Sequence, residues 1–147
     1  MLNRIDNLII HTSKKIATPM ARFVIFIIFF WFGILKPLGM SPADPLVAAL
    51  LEQTLPSVSF ATFSFYFGFL EMFIGVSFLI PGFEREAIGL LLLHMLTTLA
   101  PLFLLPEIVW QQSMVPTLEG QYILKNLAFI TLAIVVAAHV KKEKGRE

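Results

Sequence analysis

Lys36, Glu71, His94 and Lys125 fall inside or at the edge of stretches that are otherwise apolar. An ionised group in hydrocarbon is costly, so such side chains face protein, water or a partner charge, or become neutral. Glu71 stands near the centre of FATFSFYFGFLEMFIGVSFLI, residues 60–80. Ser64, Gly68, Glu71 and Gly75 recur at i, i+4, i+7 and i+11, which is one stripe of an α-helix. Glycines at that spacing let a second helix approach closely. The stripe is therefore expected to be the inward face of a bundle, with Glu71 buried in it. His94 shares a face with Thr97, Thr98 and Pro101, and an imidazole can take up and return a proton near neutral pH.

Such a set can hold a polar head group, pass a proton, or serve only as an ion pair fixing helix register. Glu71 can pair with Lys36 or with Lys125. The plainer readings stand beside these. His94 can be a satisfied interior hydrogen-bond partner, and Lys36 and Lys125 can be interfacial lysines whose stems snorkel outward. The phenylalanines of the first two spans read as lipid-facing or packing residues more readily than as a cofactor box.

Four helices must position these groups. The chain has 147 residues, 57% hydrophobic and only 14% charged, with a mean hydropathy of +0.82. Soluble domains run near 45–50% apolar and 25% charged, so the composition is that of a single membrane domain. The fold class expected is all-α membrane: a four-transmembrane-helix bundle with spans at about 20–38, 60–80, 87–105 and 118–140. Pro37 and Gly39 end the first span, Pro81-Gly82 forms a tight turn after the second, and Pro101 kinks the third. The short connection makes spans two and three antiparallel neighbours. Thr97 or Thr98 can hydrogen-bond the carbonyls that the kink frees.

Residues 1–19 are not a span. Leu2, Ile5, Ile9, Thr12 and Ile16 repeat at helical spacing among Arg4, Asp6, Lys14 and Lys15, which fits a short helix in the headgroup region. A cleaved signal peptide is the competing reading of the first apolar run, but that run begins late, and a retained helix is expected. Between the first two spans, Asp44 as N-cap and Pro45 at the first helical position predict a loop helix over 45–55. Residues 106–117 read as a second loop, and residues 141–147 as a solvated basic tail.

Orientation follows from charge. Of the 11 Lys and Arg residues, only Lys36 and Lys125 lie on the side of the two longer loops. By the positive-inside rule both termini and the turn at 81–86 are cytoplasmic. Counted from those ends, Glu71 and His94 fall at roughly 13–15 Å, near the midplane, and Lys36 and Lys125 at roughly 21–24 Å. Thr98 and Asn126 join the upper level. Glu52, Glu107, Glu119 and Gln121 are candidates for the outer mouth.

Several chemistries are disfavoured. With no cysteine, this chain alone offers no disulfide, thiolate nucleophile or iron–sulfur ligation. One intramembrane His and scattered Glu give no metal-ligand spacing. No catalytic triad, phosphate-cradling loop or basic nucleic-acid face is legible, so no catalytic residue is assigned, and the chain is not expected to be an enzyme on its own.

Trp31-Phe32-Gly33-Ile34-Leu35-Lys36 resembles the G-x-x-K ending of the first helix in DoxX-like bacterial membrane proteins. Gly68-Phe69-Leu70-Glu71-Met72-Phe73-Ile74-Gly75 resembles that family's G-x-x-E-x-x-x-G second helix, and residues 116–127, with Glu119, Lys125 and Asn126, resemble the start of its fourth. The chain is also similar to a sister group of inner-membrane proteins linked to reactive-chlorine resistance, though its first outer loop is much shorter. The resemblance implies a four-helix protein of the bacterial cytoplasmic membrane, associated with redox or oxidative-stress physiology. It would have no intrinsic cofactor, a redox partner protein, and a bound quinone or similar lipophile contacting Glu71, His94 and Lys125. A scaffold without ligand is the alternative. A small-molecule or proton carrier ranks last, since four short helices make a narrow path unless a homo-oligomer widens it.

Overall fold

The computed structural model describes residues 2–140; the expected basic tail at 141–147 lies outside the described residues. The elements are α1 (Leu2–Leu35), α2 (Asp44–Thr54), α3 (Phe60–Ser77), α4 (Glu84–Leu99), α5 (Pro101–Leu104), α6 (Pro106–Val109), β1 (Trp110–Gln112), β2 (Val115–Pro116), α7 (Leu118–Lys125) and α8 (Leu127–Ala137). Four stretches are long and apolar enough to cross a membrane: Arg4–Leu35, Phe60–Ser77, Glu84–Leu104 and Leu118–Ala137. The molecule is an all-helical bundle apart from one small ladder, and among the described residues four helical stretches have the length and apolarity that a multi-pass membrane protein needs.

α1 packs most extensively on α3, and both α3 and α8 pack on α4. The stripe read from the sequence is the face that α3 buries: Ser64, Gly68, Glu71 and Gly75, with Ile74 and Ser77 beside them. The contact is a backbone-to-backbone approach. A Cβ on Gly33 would stand 2.8 Å from the Gly68 carbonyl oxygen, and one on Gly68 would stand 2.6 Å from that of Gly33. Any side chain at either position would hold α1 and α3 apart. Below this seam lies the apolar core, with Ile25 and Phe29 of α1, Ile74 and Phe78, Ala87, Leu91 and Met95 of α4, and Ala133 and Val136 of α8.

At the end of the bundle beside the turn at 78–83, Arg22 fastens three segments. Its guanidinium donates to the carbonyl oxygens of Phe78 at 2.6 Å and Ile80 at 3.3 Å, and to Glu84 Oε1 at 2.9 Å. Carbonyls at a helix C-terminus lack intrahelical donors, and the fork of Arg22 supplies them.

Several boundaries differ from expectation. The helix runs unbroken through Pro19, so residues 2–19 and the first apolar run are one continuous helix. Proline removes one hydrogen bond, to the carbonyl four residues back, and that local loss does not stop the helix. Asp44 does not cap α2. It is the first helical residue, behind Ala43, which makes no side-chain cap. Ser41 organises the start instead, its hydroxyl accepting from Ala43 N and its carbonyl from Asp44 N.

The third span breaks at Ala100, ahead of Pro101, into α4 and α5. The hydroxyls of Thr97 and Thr98 both donate to the His94 carbonyl, at 2.7 and 3.1 Å. The fourth span is divided at Asn126. The loop at 106–117 is not irregular: it holds a helical turn and an antiparallel pair, Trp110 opposite Pro116. Thr117 then caps α7, accepting from Gly120 N and donating to the Ile108 carbonyl.

Candidate functional site

Lys36 is the first residue past α1, in a turn closed by Gly39 N to the Lys36 carbonyl at 2.9 Å, with Gly39 at φ +66°. This turn keeps the side chain close to α3. Gly68, one helical turn before Glu71, leaves room for it: a Cβ there would stand 2.9 Å from Lys36 Cβ and 2.7 Å from Pro37 Cδ. Lys36 Nζ accordingly reaches Glu71 Oε2 at 2.5 Å. Lys36 does not snorkel outward. The close approach of the two glycines leaves its ammonium facing Glu71, with 5% of the side chain exposed.

His94 arrives from α4. Its Nε2 lies 3.4 Å from Glu71 Oε1, with the His94 and Glu71 side chains 5% and 11% exposed. One carboxylate thus stands between an ammonium and an imidazole, each supplied by a different part of the bundle. The ammonium and carboxylate offset one another.

Aromatic rings enclose the set. Phe67 stacks on the His94 ring at 5.0 Å and 29°, and Phe29 meets it edge-on at 5.3 Å. Lys36 Nζ also lies 5.5 Å from the Phe67 centroid, within reach of a cation–π attraction. Neither phenylalanine stood out in the sequence. Phe67 lies four residues before Glu71 and so on its side of α3; that spacing was the available signal, masked by so many other phenylalanines.

Two polar atoms near or on these faces have no partner within the protein: His94 Nδ1 and Ser64 Oγ are both buried without one. With its Nε2 edge turned to the carboxylate and one face stacked on Phe67, the His94 ring leaves Nδ1 without a bond. Buried polar atoms are nearly always satisfied, so His94 Nδ1 is a position where a further hydrogen-bonding group, water included, can be accommodated.

The remaining expected site residues are placed as follows. Thr98 is half-buried and bonded to the His94 carbonyl, one step removed from Glu71. Lys125 is exposed, its Nζ 5.2 Å from the Tyr122 ring, so Glu71 has Lys36 rather than Lys125 as its cation. Asn126 is half-buried at the break between α7 and α8. Glu52, Glu107, Glu119 and Gln121 are all exposed. Among the described residues, no group of three or more His, Cys, Asp or Glu is disposed to hold a metal ion.

No family model, curated protein or solved structure matches this chain. Of Lys36, Glu71 and Lys125, the structure joins the first two while Lys125 stands apart.

Proposed function

We propose that this chain is a multi-pass protein of the bacterial cytoplasmic membrane, with both termini cytoplasmic, that binds a quinone or another lipophilic molecule with a polar head at the Lys36–Glu71–His94 centre. It would act as an accessory or subunit of a redox or oxidative-stress system and take its reaction partner from another protein. One observation carries the reading: an ammonium, a carboxylate and an imidazole from three parts of the bundle meet in an apolar interior, and the imidazole keeps a buried nitrogen unpartnered. Polar groups converging in an apolar setting are what fix the orientation of a largely hydrophobic ligand. On this reading a head-group oxygen would bond at His94 Nδ1, with its tail among the phenylalanines that crowd the first two spans.

The test is extraction in native lipid discs followed by mass spectrometry of bound lipophiles, comparing the wild type with Glu71→Gln and His94→Ala. Occupancy is expected to fall about two- to tenfold, the effect of losing a hydrogen bond between neutral groups, about 0.5–1.5 kcal/mol. Unchanged occupancy in both variants removes the centre from the binding site.

A second reading has its own observation. The Lys36–Glu71 pair adjoins the Gly33–Gly68 contact, so it also locks α1 to α3. If that is its whole role, Glu71→Gln lowers thermal stability in detergent and leaves every bound lipophile in place.

A further inference from the structure

α1 is longer than a membrane is thick. Its 34 residues extend about 51 Å at 1.5 Å per residue, against ~30 Å of hydrocarbon. Arg22, bonded to the turn at 78–83, marks where the rest of the bundle ends. Residues 4–16, beyond it, are all exposed. Yet the extension is two-sided. Ile5, Ile9, Thr12 and Ile16 form one stripe, and the isoleucines are 52%, 59% and 46% exposed. Arg4, Asn7, His11, Lys14 and Lys15 occupy the opposite side, with exposed Leu8 at its edge and Ile10 on its flank.

The apolar stripe does not stop at the bundle. Pro19 and Phe23 continue it at the same spacing, and with Ile16 and Met20 they line an open cleft of about 670 Å³ against Leu79 and Pro81. An apolar stripe that starts on a spanning helix and runs on with a basic opposite face has the pattern of a helix at a lipid surface. Three fixed cations against Asp6 alone favour an anionic one.

We infer that the α1 extension docks on the anionic headgroups of the leaflet from which it emerges, its Ile5–Ile9–Ile16 stripe toward the acyl chains and Arg4, Lys14 and Lys15 toward the lipid phosphates. Pro19, which leaves the Lys15 carbonyl without its helical donor, is where the axis can bend to allow this. The surface holds the α1 extension against acidic lipid, independently of what the Glu71 centre binds.

Because the chain has no cysteine, single spin labels can be placed in the full-length protein without removing any native residue. Ile9→Cys and His11→Cys report opposite sides of the helix. In vesicles of phosphatidylcholine with phosphatidylglycerol, the label at position 9 is expected to contact dissolved oxygen and be shielded from a water-soluble nickel reagent, while the label at 11 shows the reverse. Replacing both Lys14 and Lys15 by Glu, or using phosphatidylcholine alone, is expected to shift the docked population by about thirtyfold or more. Equal water contact at both positions in the acidic vesicles overturns the inference. So does immersion at position 9 that ignores both lipid charge and the Lys replacements, and so does dipolar broadening between copies at position 9, which makes a second chain the occupant.

Discussion

Two cations leave the first helix for a carboxylate, and the two ends of the bundle use them differently. Arg22 meets Glu84 at 2.9 Å with both side chains about a fifth exposed, at 20% and 19%, and spends its other donors on the carbonyls of Phe78 and Ile80. Lys36 meets Glu71 at 2.5 Å with 5% and 11% exposed, in the company of His94 and two rings. At the first end the cation closes backbone carbonyls that water could also reach. At the second, water is largely excluded, so each charge depends on the other. A buried pair of this kind is poor evidence for stability, since apolar residues of similar volume often do as well. On the proposed reading the pair serves the binding centre, and the unpartnered His94 nitrogen is where a head group would bond.

The largest effect is expected from separating the buried pair. Lys36→Met leaves the Glu71 carboxylate without its cation and should cost about 3–5 kcal/mol of unfolding free energy. Lys36→Met with Glu71→Leu removes both charges and should recover most of that loss. Unfolding of the reconstituted protein by a denaturing detergent measures both. A double variant as unstable as the single one would show that the two residues are not coupled and would dissolve the contrast between the two ends. The double variant also separates the readings of function: a scaffold regains its stability and its role, whereas a binding centre regains stability and stays empty.

Glycine at the seam comes next. Gly68→Ala sets a Cβ against the Gly33 carbonyl, Pro37 and Lys36, and should cost about 1–3 kcal/mol through forced separation of α1 and α3. Because the same movement draws Lys36 from Glu71, ligand occupancy should fall with it. Gly89→Ala is the control: nothing lies within 4 Å of a Cβ there, and helix propensity alone makes the change neutral or stabilising by about 0.5–1 kcal/mol. Equal behaviour of the two variants in thermal unfolding would mean that the close approach does not hold the centre together.

Much of this architecture was legible, and the reasons are local. The spans follow from apolar runs of sufficient length, and the buried face of α3 follows from the Ser64–Gly68–Glu71–Gly75 period, because periodicity is a property of one helix. What escaped depends on two or more elements at once. Whether Lys36 turns inward is decided by where α1 ends, by the Gly39 turn and by the space at Gly68, and none of these is visible from the lysine itself. The choice of Lys36 over Lys125 as the partner of Glu71 is of the same kind. β1 and β2 have three and two residues, too few for an alternating pattern to register. The continuity of α1 through Pro19 is likewise not visible from the proline, because a helix survives the loss of one hydrogen bond when its neighbours keep theirs.

The smallest effect is expected at the Arg22 end, and it sharpens the comparison best because it divides one side chain into two roles. Glu84→Gln removes only the ion pair, and for a partly exposed pair the loss should be about 0–1 kcal/mol and shrink further in salt. Arg22→Lys keeps the charge near Glu84 but replaces a planar fork by a single ammonium, which cannot reach Phe78, Ile80 and Glu84 together. If the carbonyl bonds are what hold the turn, Arg22→Lys destabilises more than Glu84→Gln, and the excess persists at high salt. Equal, salt-sensitive losses would instead make this end a weaker copy of the buried pair, and the distinction between a fastening and a binding centre would have to be drawn from exposure alone.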